Sequence, residues 1–178
     1  HLNNMFIYEG NINKKICKEL IKTFEKSNNK KMIKTDHTSM TEVVLNKEDP
    51  CLLLYIKELT QIKNKYIKKY KYIDLNQEFW DIYQNIKIQK YKPGQSYFGW
   101  HCENSGEEFN KNRILVFSTF LNNIEKGGET EFFYQKEKIK PKESKTILFP
   151  AYWTHTHRGN LTKQTKYIIT GWYTYGNK

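Results

Sequence analysis

His101 and Glu103 stand two residues apart in Tyr97 to Glu103, a stretch whose residue types predict a β-strand. Side chains two apart on a strand leave the same face, so one strand can offer an imidazole and a carboxylate to a single metal ion. A third ligand must come from elsewhere, and the other internal histidines are His37, His155 and His157. His37 lies in the polar stretch Asp36-His37-Thr38-Ser39 and is expected to be exposed. His155 and His157 share a later predicted strand, Thr154 to His157, and both stay open as the third ligand at this point. Two histidines and one carboxylate with free positions suit non-haem iron(II) and oxygen. The competing reading is a chance His-x-Glu pair among structural or exposed histidines. Cys102 sits between the two candidates, but on a strand it points to the opposite face, which makes it a packed cysteine rather than a ligand.

The composition sets the surroundings of such a site. A chain of 178 residues, 38% hydrophobic and 15% aromatic, is long enough to bury a core. Its apolar runs, such as Ile114 to Phe117, are far too short to cross a bilayer, and no charged-then-apolar secretory signal is visible. Cys17, Cys51 and Cys102 are odd in number and widely spaced, which gives no disulfide framework or CxxC zinc site and fits a reducing compartment. An intracellular, cytoplasmic protein with no membrane partner is the expectation. The net charge of +11 raises a nucleic-acid reading. Base readers lean on the planar fork of arginine, however, and only Arg113 and Arg158 are arginine. A solvated lysine coat is therefore favoured, and a nucleic-acid partner is not. Such a coat still steers an acidic macromolecule toward the surface.

The elements that must position the site come in two blocks. Ile16, Leu20 and Phe24 recur at helical spacing, which predicts an amphipathic helix. Asp49 as N-cap and Pro50 at the first helical position predict a second, with Leu52, Ile56, Leu59, Tyr66 and Tyr70 along roughly one face. From Ile86 the texture changes to strands: Ile86 to Tyr91, Tyr97 to Glu103, Arg113 to Leu121, Thr130 to Tyr134, Thr146 to Phe149, Thr154 to His157 and Lys166 to Tyr175. Turn signals such as Lys92-Pro93-Gly94-Gln95 and Gly127-Gly128 separate them. Many short strands joined by Gly, Pro and Asn turns predict a sandwich or barrel. With helices first and strands second, the expectation is a single α+β domain over residues 1–178. Its helical part spans about 1–80 and its β part about 86–178.

The order of motifs in the second block then resembles a known family. Tyr91-Lys-Pro-Gly-Gln-Ser-Tyr97 followed by His101-Cys-Glu103 looks like the first metal strand of the prolyl 4-hydroxylase-like Fe(II)/2-oxoglutarate-dependent dioxygenases. Arg113 to Asn122, Gly127-Gly-Glu-Thr130 with Phe132, Phe149-Pro150, His157-Arg-Gly159 and Lys166-Tyr-Ile-Ile-Thr-Gly-Trp172 are similar to its later strands, in order. The resemblance runs from about Ile86 to the end. It implies a double-stranded β-helix (jelly-roll) core with the N-terminal helices packed on one sheet. It also implies Fe(II), 2-oxoglutarate and O2, with ascorbate as a candidate addition. The implied activity is hydroxylation of an unactivated C–H bond, with release of succinate and CO2, on a proline-containing protein or peptide. Oligomeric state is left open.

Carried over residue by residue, the resemblance makes His101, Glu103 and His157 the metal ligands. Lys166 would pair with the distal carboxylate of 2-oxoglutarate, while Tyr91 and Thr130 would hydrogen-bond to the same cosubstrate and Trp172 would line the pocket. Arg113 matches a catalytic-site position that contacts the substrate peptide; a surface arginine is the alternative. Two departures stand out. The family usually carries aspartate where Glu103 stands, although a carboxylate of either length argues against the halide-accommodating variant, which lacks one. The family's basic residue follows its last histidine by about ten positions, whereas Lys166 follows His157 by nine and His155 by eleven. The Arg-Gly after His157 favours His157 as ligand, leaving His155 beside it. Other readings are a related oxygenase acting on another residue or a small molecule, and a non-catalytic jelly-roll binding module.

Overall fold

The structure is a computed structural model and describes residues 4–176. Strand β1 (Tyr8–Asn11) leads into helix α1 (Lys14–Lys26), whose first turn is capped by the Asn13 side chain accepting from Lys15 N. A hairpin of β2 (Lys31–Lys34) and β3 (Ser39–Val44) precedes helix α2 (Pro50–Lys69). Asp49 caps α2 by accepting from Cys51 N and Leu52 N, with proline in the first turn as the sequence predicts. Then come β4 (Trp80–Asp81), β5 (Lys87–Tyr91), β6 (Arg113–Phe120), β7 (Thr130–Phe132), β8 (Glu137–Ile139), β9 (Lys145–Pro150), β10 (His157–Gly159) and β11 (Lys166–Tyr175).

Two antiparallel sheets form the jelly roll. The larger runs β1-β9-β6-β11-β5-β3-β2, with β4 also on β11, and the smaller runs β10-β7-β8. The larger sheet is covered on both faces, so its central strands are nearly continuous in apolar residues instead of alternating with polar ones. The period of two survives in where each side chain goes. Leu115 and Phe117 of β6, Leu148 of β9 and Ile169 and Tyr173 of β11 meet Leu20 and Phe24 of α1 and Tyr55 and Leu59 of α2 in one core. Val116, Ile147, Phe149 and Trp172 face the other way, into a second core shared with Phe132 and Ile139 of the small sheet. The site opens on this second face. Gly171 is needed where β11 pairs with β6 opposite Phe117: a Cβ there would lie 2.4 Å from Phe117 Cζ.

Three sequence expectations change. The first 80 residues are not purely helical, since β1, β2, β3 and β4 join the larger sheet. These are short or exposed segments, held by pairing with distant strands more than by a pattern of their own. Tyr97 to Glu103 forms no strand; His101 makes an isolated bridge with His157, and its neighbours bond elsewhere. Residues Trp153–His155 form a 3-10 turn, and the strand begins only at His157, so His155 and His157 do not share a strand face. Among the described residues no helix is long and apolar enough to cross a membrane.

Candidate active site

His101, Glu103 and His157 each offer a ligand atom, and these atoms lie within 4.8 Å of one another. Their convergence is built by the backbone. His101 and His157 exchange N–H···O bonds at 3.0 and 2.8 Å, which ties the loop before β6 to the start of β10. Glu103 N and Asn104 N then both donate to Ala151 O, just beyond β9, at 3.0 and 2.8 Å. The Asn104 amide nitrogen secures the loop to the carbonyls of Lys111 and Arg113.

The ring orientations carry chemical information. His101 Nδ1 is 2.8 Å from the Gly99 carbonyl, and His157 Nδ1 is 2.9 Å from the His155 carbonyl. A carbonyl can only accept, so in the neutral ring each Nδ1 carries the hydrogen and each Nε2 presents a lone pair. Both Nε2 atoms lie 3.2 Å from Glu103 Oε1. Two imidazole lone pairs and a carboxylate oxygen facing one another call for a cation between them. An octahedral ion with bonds of about 2.1 Å sets adjacent donors about 3 Å apart, so the spacing fits a metal. Without one, a proton is the substitute. Burial works against a His101 cation, yet the hydrogen bond and charge of Glu103 and the Gly99 carbonyl raise its pKa above 6.5. For Glu103, burial favours the neutral acid, and the two histidines override it, holding the carboxyl well below its usual range.

A cavity of about 370 Å³ extends from this cluster between the two sheets. Lys166 and Tyr91 are cross-strand partners of β11 and β5, and both point into it. Lys166 Nζ is 5.0 Å from the Tyr91 ring centroid, and its hydrogen-bond acceptor is Gly128 O at 3.1 Å. Gly128 adopts φ +70°, and at its neighbour Gly127 (φ +79°) a Cβ would lie 2.3 Å from Leu161 O, so this turn depends on glycine. Burial pushes the Lys166 ammonium down to about 8, with Glu129 offsetting only part of the effect. Tyr91 is buried and its hydroxyl donates to Gln89 Oε1 at 3.1 Å. Thr130 lines the same cavity from β7, opposite Gly159 of β10.

Trp172 and Arg113 stand on the metal side of the cavity. Trp172 Nε1 donates to Glu103 Oε2 at 3.2 Å, and the Arg113 guanidinium stacks on the indole, 3.5 Å from its centroid. His155 is outside the cluster: its Nε2 is 3.2 Å from Met5 O and its Nδ1 2.9 Å from Thr154 Oγ1. It borders a separate, more open groove of about 730 Å³ near the end of α2, which holds no such donor cluster. His37 is exposed, and Cys102 Sγ turns to Asn104 O. Tyr97 and Arg158 are among the lining residues to which the sequence reading gave no role. Tyr97 lies against the His101 ring at 3.9 Å between centroids, and Arg158 stacks on Trp100 at 4.1 Å. The rarity of arginine was a usable signal for Arg158.

Comparison with known proteins agrees with this arrangement. The profile of the 2OG-Fe(II) oxygenase superfamily matches residues 86–174, half of the chain. The chain belongs to the 2OG-Fe(II) oxygenase superfamily, whose chemistry uses Fe(II), 2-oxoglutarate and O2. No curated sequence matches it. Among solved structures, it is similar to the viral collagen prolyl hydroxylase vCPH of Paramecium Bursaria Chlorella virus-1 in its 2OG complex, with a TM-score of 0.73 at 19% identity over 96% of this chain and 97% of that one. A Pseudomonas putida prolyl-4-hydroxylase gives a TM-score of 0.76 at 12% identity over 97% and 94%. A Trichoplax adhaerens prolyl hydroxylase, in complex with a hypoxia inducible factor oxygen degradation domain peptide fragment, gives 0.75 at 16% over 97% and 85%. The shared fold extends across nearly the whole chain.

Proposed function

We propose that this oxygenase is a prolyl 4-hydroxylase-like enzyme acting on a peptidyl proline, with residues 1–178 working as one cytoplasmic domain. His101, Glu103 and His157 hold Fe(II), Lys166 receives the distal carboxylate of 2-oxoglutarate, and Tyr91 and Thr130 help to seat it. The observation that carries this reading is the buried ammonium of Lys166 in the same cavity as the three converging donors. A lysine in that position is costly unless an anion arrives to pair with it. With Fe(II), 2-oxoglutarate and oxygen bound, the site supplies an oxidant for an unactivated C–H bond, and succinate and CO2 leave.

The protein's share of the work is placement. The two Nδ1–carbonyl bonds hold the imidazoles with their lone pairs inward. The walls formed by Val116, Ile147, Phe149 and Trp172 exclude water around the reacting centre. Arg113 lines the cavity beside Glu103, and the family resemblance assigns it the contact with the substrate peptide. The similar structures, one of them in complex with a peptide fragment, support a peptide substrate, and the three free cysteines fit a reducing compartment. The test is mass spectrometry of proline-containing peptides incubated with enzyme, Fe(II), 2-oxoglutarate, ascorbate and oxygen. Gain of one oxygen on proline, matched by succinate, is expected. Succinate formed with the oxygen on another residue, or on a small molecule, refutes the proline assignment.

A further inference from the structure

Glu103 is one methylene longer than the aspartate its family usually carries, and the extra torsion frees the carboxylate to swing or to chelate. Its two oxygens are nevertheless assigned to different tasks. Oε1 faces both imidazoles at 3.2 Å. Oε2 turns away, accepting from Trp172 Nε1 at 3.2 Å with Arg113 NH1 at 3.9 Å. Trp172 is fixed in turn: it is 9% exposed, and the Arg113 guanidinium carbon lies 3.5 Å from its ring centroid. Arg113 is held by Gln84 Oε1 at 2.8 Å from its Nε and by the backbone carbonyl of Glu103 itself at 3.1 Å from its NH1.

We propose that Trp172, backed by Arg113, is a positioning residue for the metal-binding carboxylate: its indole N–H holds Oε2, so that Glu103 offers Oε1 alone. The inference rests on the reading that the triad binds metal. A carboxylate bound through one oxygen would leave the metal's remaining positions free for 2-oxoglutarate and oxygen. A chelating carboxylate takes one of these. In this chain the longer side chain lets one carboxylate reach both imidazoles and the indole N–H at once, and an aspartate, shorter by one carbon–carbon bond of about 1.5 Å, should lose that simultaneous reach.

Two measurements test this. In metal-free protein, Glu103→Ala, which retains the indole, should move the indole N–H resonance of Trp172, identified by its disappearance in Trp172→Phe. In Mn(II) titrations, Trp172→Phe should weaken binding roughly tenfold, the low end of losses for groups that orient metal ligands. In the Glu103→Asp background the same change should cost almost nothing, because the tether is already absent. An unmoved indole resonance overturns the proposal. Equal losses in both backgrounds also overturn it, since they mark general damage to the cavity wall. If Glu103→Ala abolishes Mn(II) binding while Trp172→Phe leaves it unchanged, the positioning role alone fails. If Glu103→Ala binds Mn(II) as tightly as wild type, the metal reading fails and takes this proposal with it.

Discussion

Replacing Lys166 by methionine should make the ligand-free protein more stable and 2-oxoglutarate binding much worse. Lys166 is 5% exposed, and burial lowers its pKa from 10.5 to about 8. Between those values the unfolded chain holds the proton and the folded chain does not, so stability rises with pH across that window. Below about pH 8 the penalty for keeping the ammonium in the cavity is fully present. The shift corresponds to roughly 3 kcal/mol, at about 1.4 kcal/mol per pH unit. Lys166→Met keeps most of the aliphatic packing and removes the charge. It should therefore raise unfolding free energy by up to roughly 3 kcal/mol near neutral pH. That gain should fade as pH approaches the lysine's ordinary range. With cosubstrate the sign reverses, because breaking a buried ion pair costs about 3–5 kcal/mol, a factor of about a hundred to a few thousand in affinity. Urea unfolding of the ligand-free proteins at neutral and alkaline pH, beside a 2-oxoglutarate titration of succinate formation, reads both effects. A destabilised variant with an unchanged 2-oxoglutarate requirement would make Lys166 an ordinary core lysine with no part in cosubstrate binding.

His157→Ala should lose metal and nearly all turnover, whereas His155→Ala, bonded to Met5 O and outside the cluster, should keep its metal; metal content of the purified variants checks this. The raised pKa of His101 means that protons compete with metal above the ordinary 6.5 of histidine. Mn(II) affinity should accordingly fall as pH drops through the raised pKa of His101, measurable by calorimetry. The metal-free protein responds oppositely: the stability that charged His101 contributes is present at low pH and lost as pH rises through its raised pKa. Leu59→Ala, at a fully buried position of α2 against the larger sheet, should cost about 2–5 kcal/mol in urea unfolding while leaving metal affinity nearly unchanged.

Much of this architecture is legible in the chain where local signals and tertiary contacts agree. Asp49-Pro50 starts α2, and the apolar run of β11 spans Lys166–Tyr175 as read from sequence. The misses are places where structure comes from distant partners. The β2 strand Lys31–Lys34 has no buried residue and exists through its pairing with β3. Gly99 interrupts the segment before His101: a Cβ there would come within 2.6 Å of His37 Nδ1, and its N–H bonds to His37 O. The segment therefore docks on the hairpin tip and forms no strand. The types of the site residues were visible, and the family resemblance singled them out. The role of Trp172 toward Glu103 was not, because a hydrogen bond between residues 69 apart leaves no trace in spacing. The same holds for Arg113, whose contact with the indole follows from the antiparallel pairing of β6 with β11.

One metal and one 2-oxoglutarate are expected to share the cavity between the sheets. A crystal structure of the protein with Mn(II) and 2-oxoglutarate under anaerobic conditions tests it most directly. One ion should appear bonded to His101 Nε2, a single oxygen of Glu103 and His157 Nε2, with the distal carboxylate of the cosubstrate on Lys166 Nζ. Metal bound at His155, or held by only two side chains of the chain, or a cosubstrate whose distal carboxylate avoids Lys166, would contradict it.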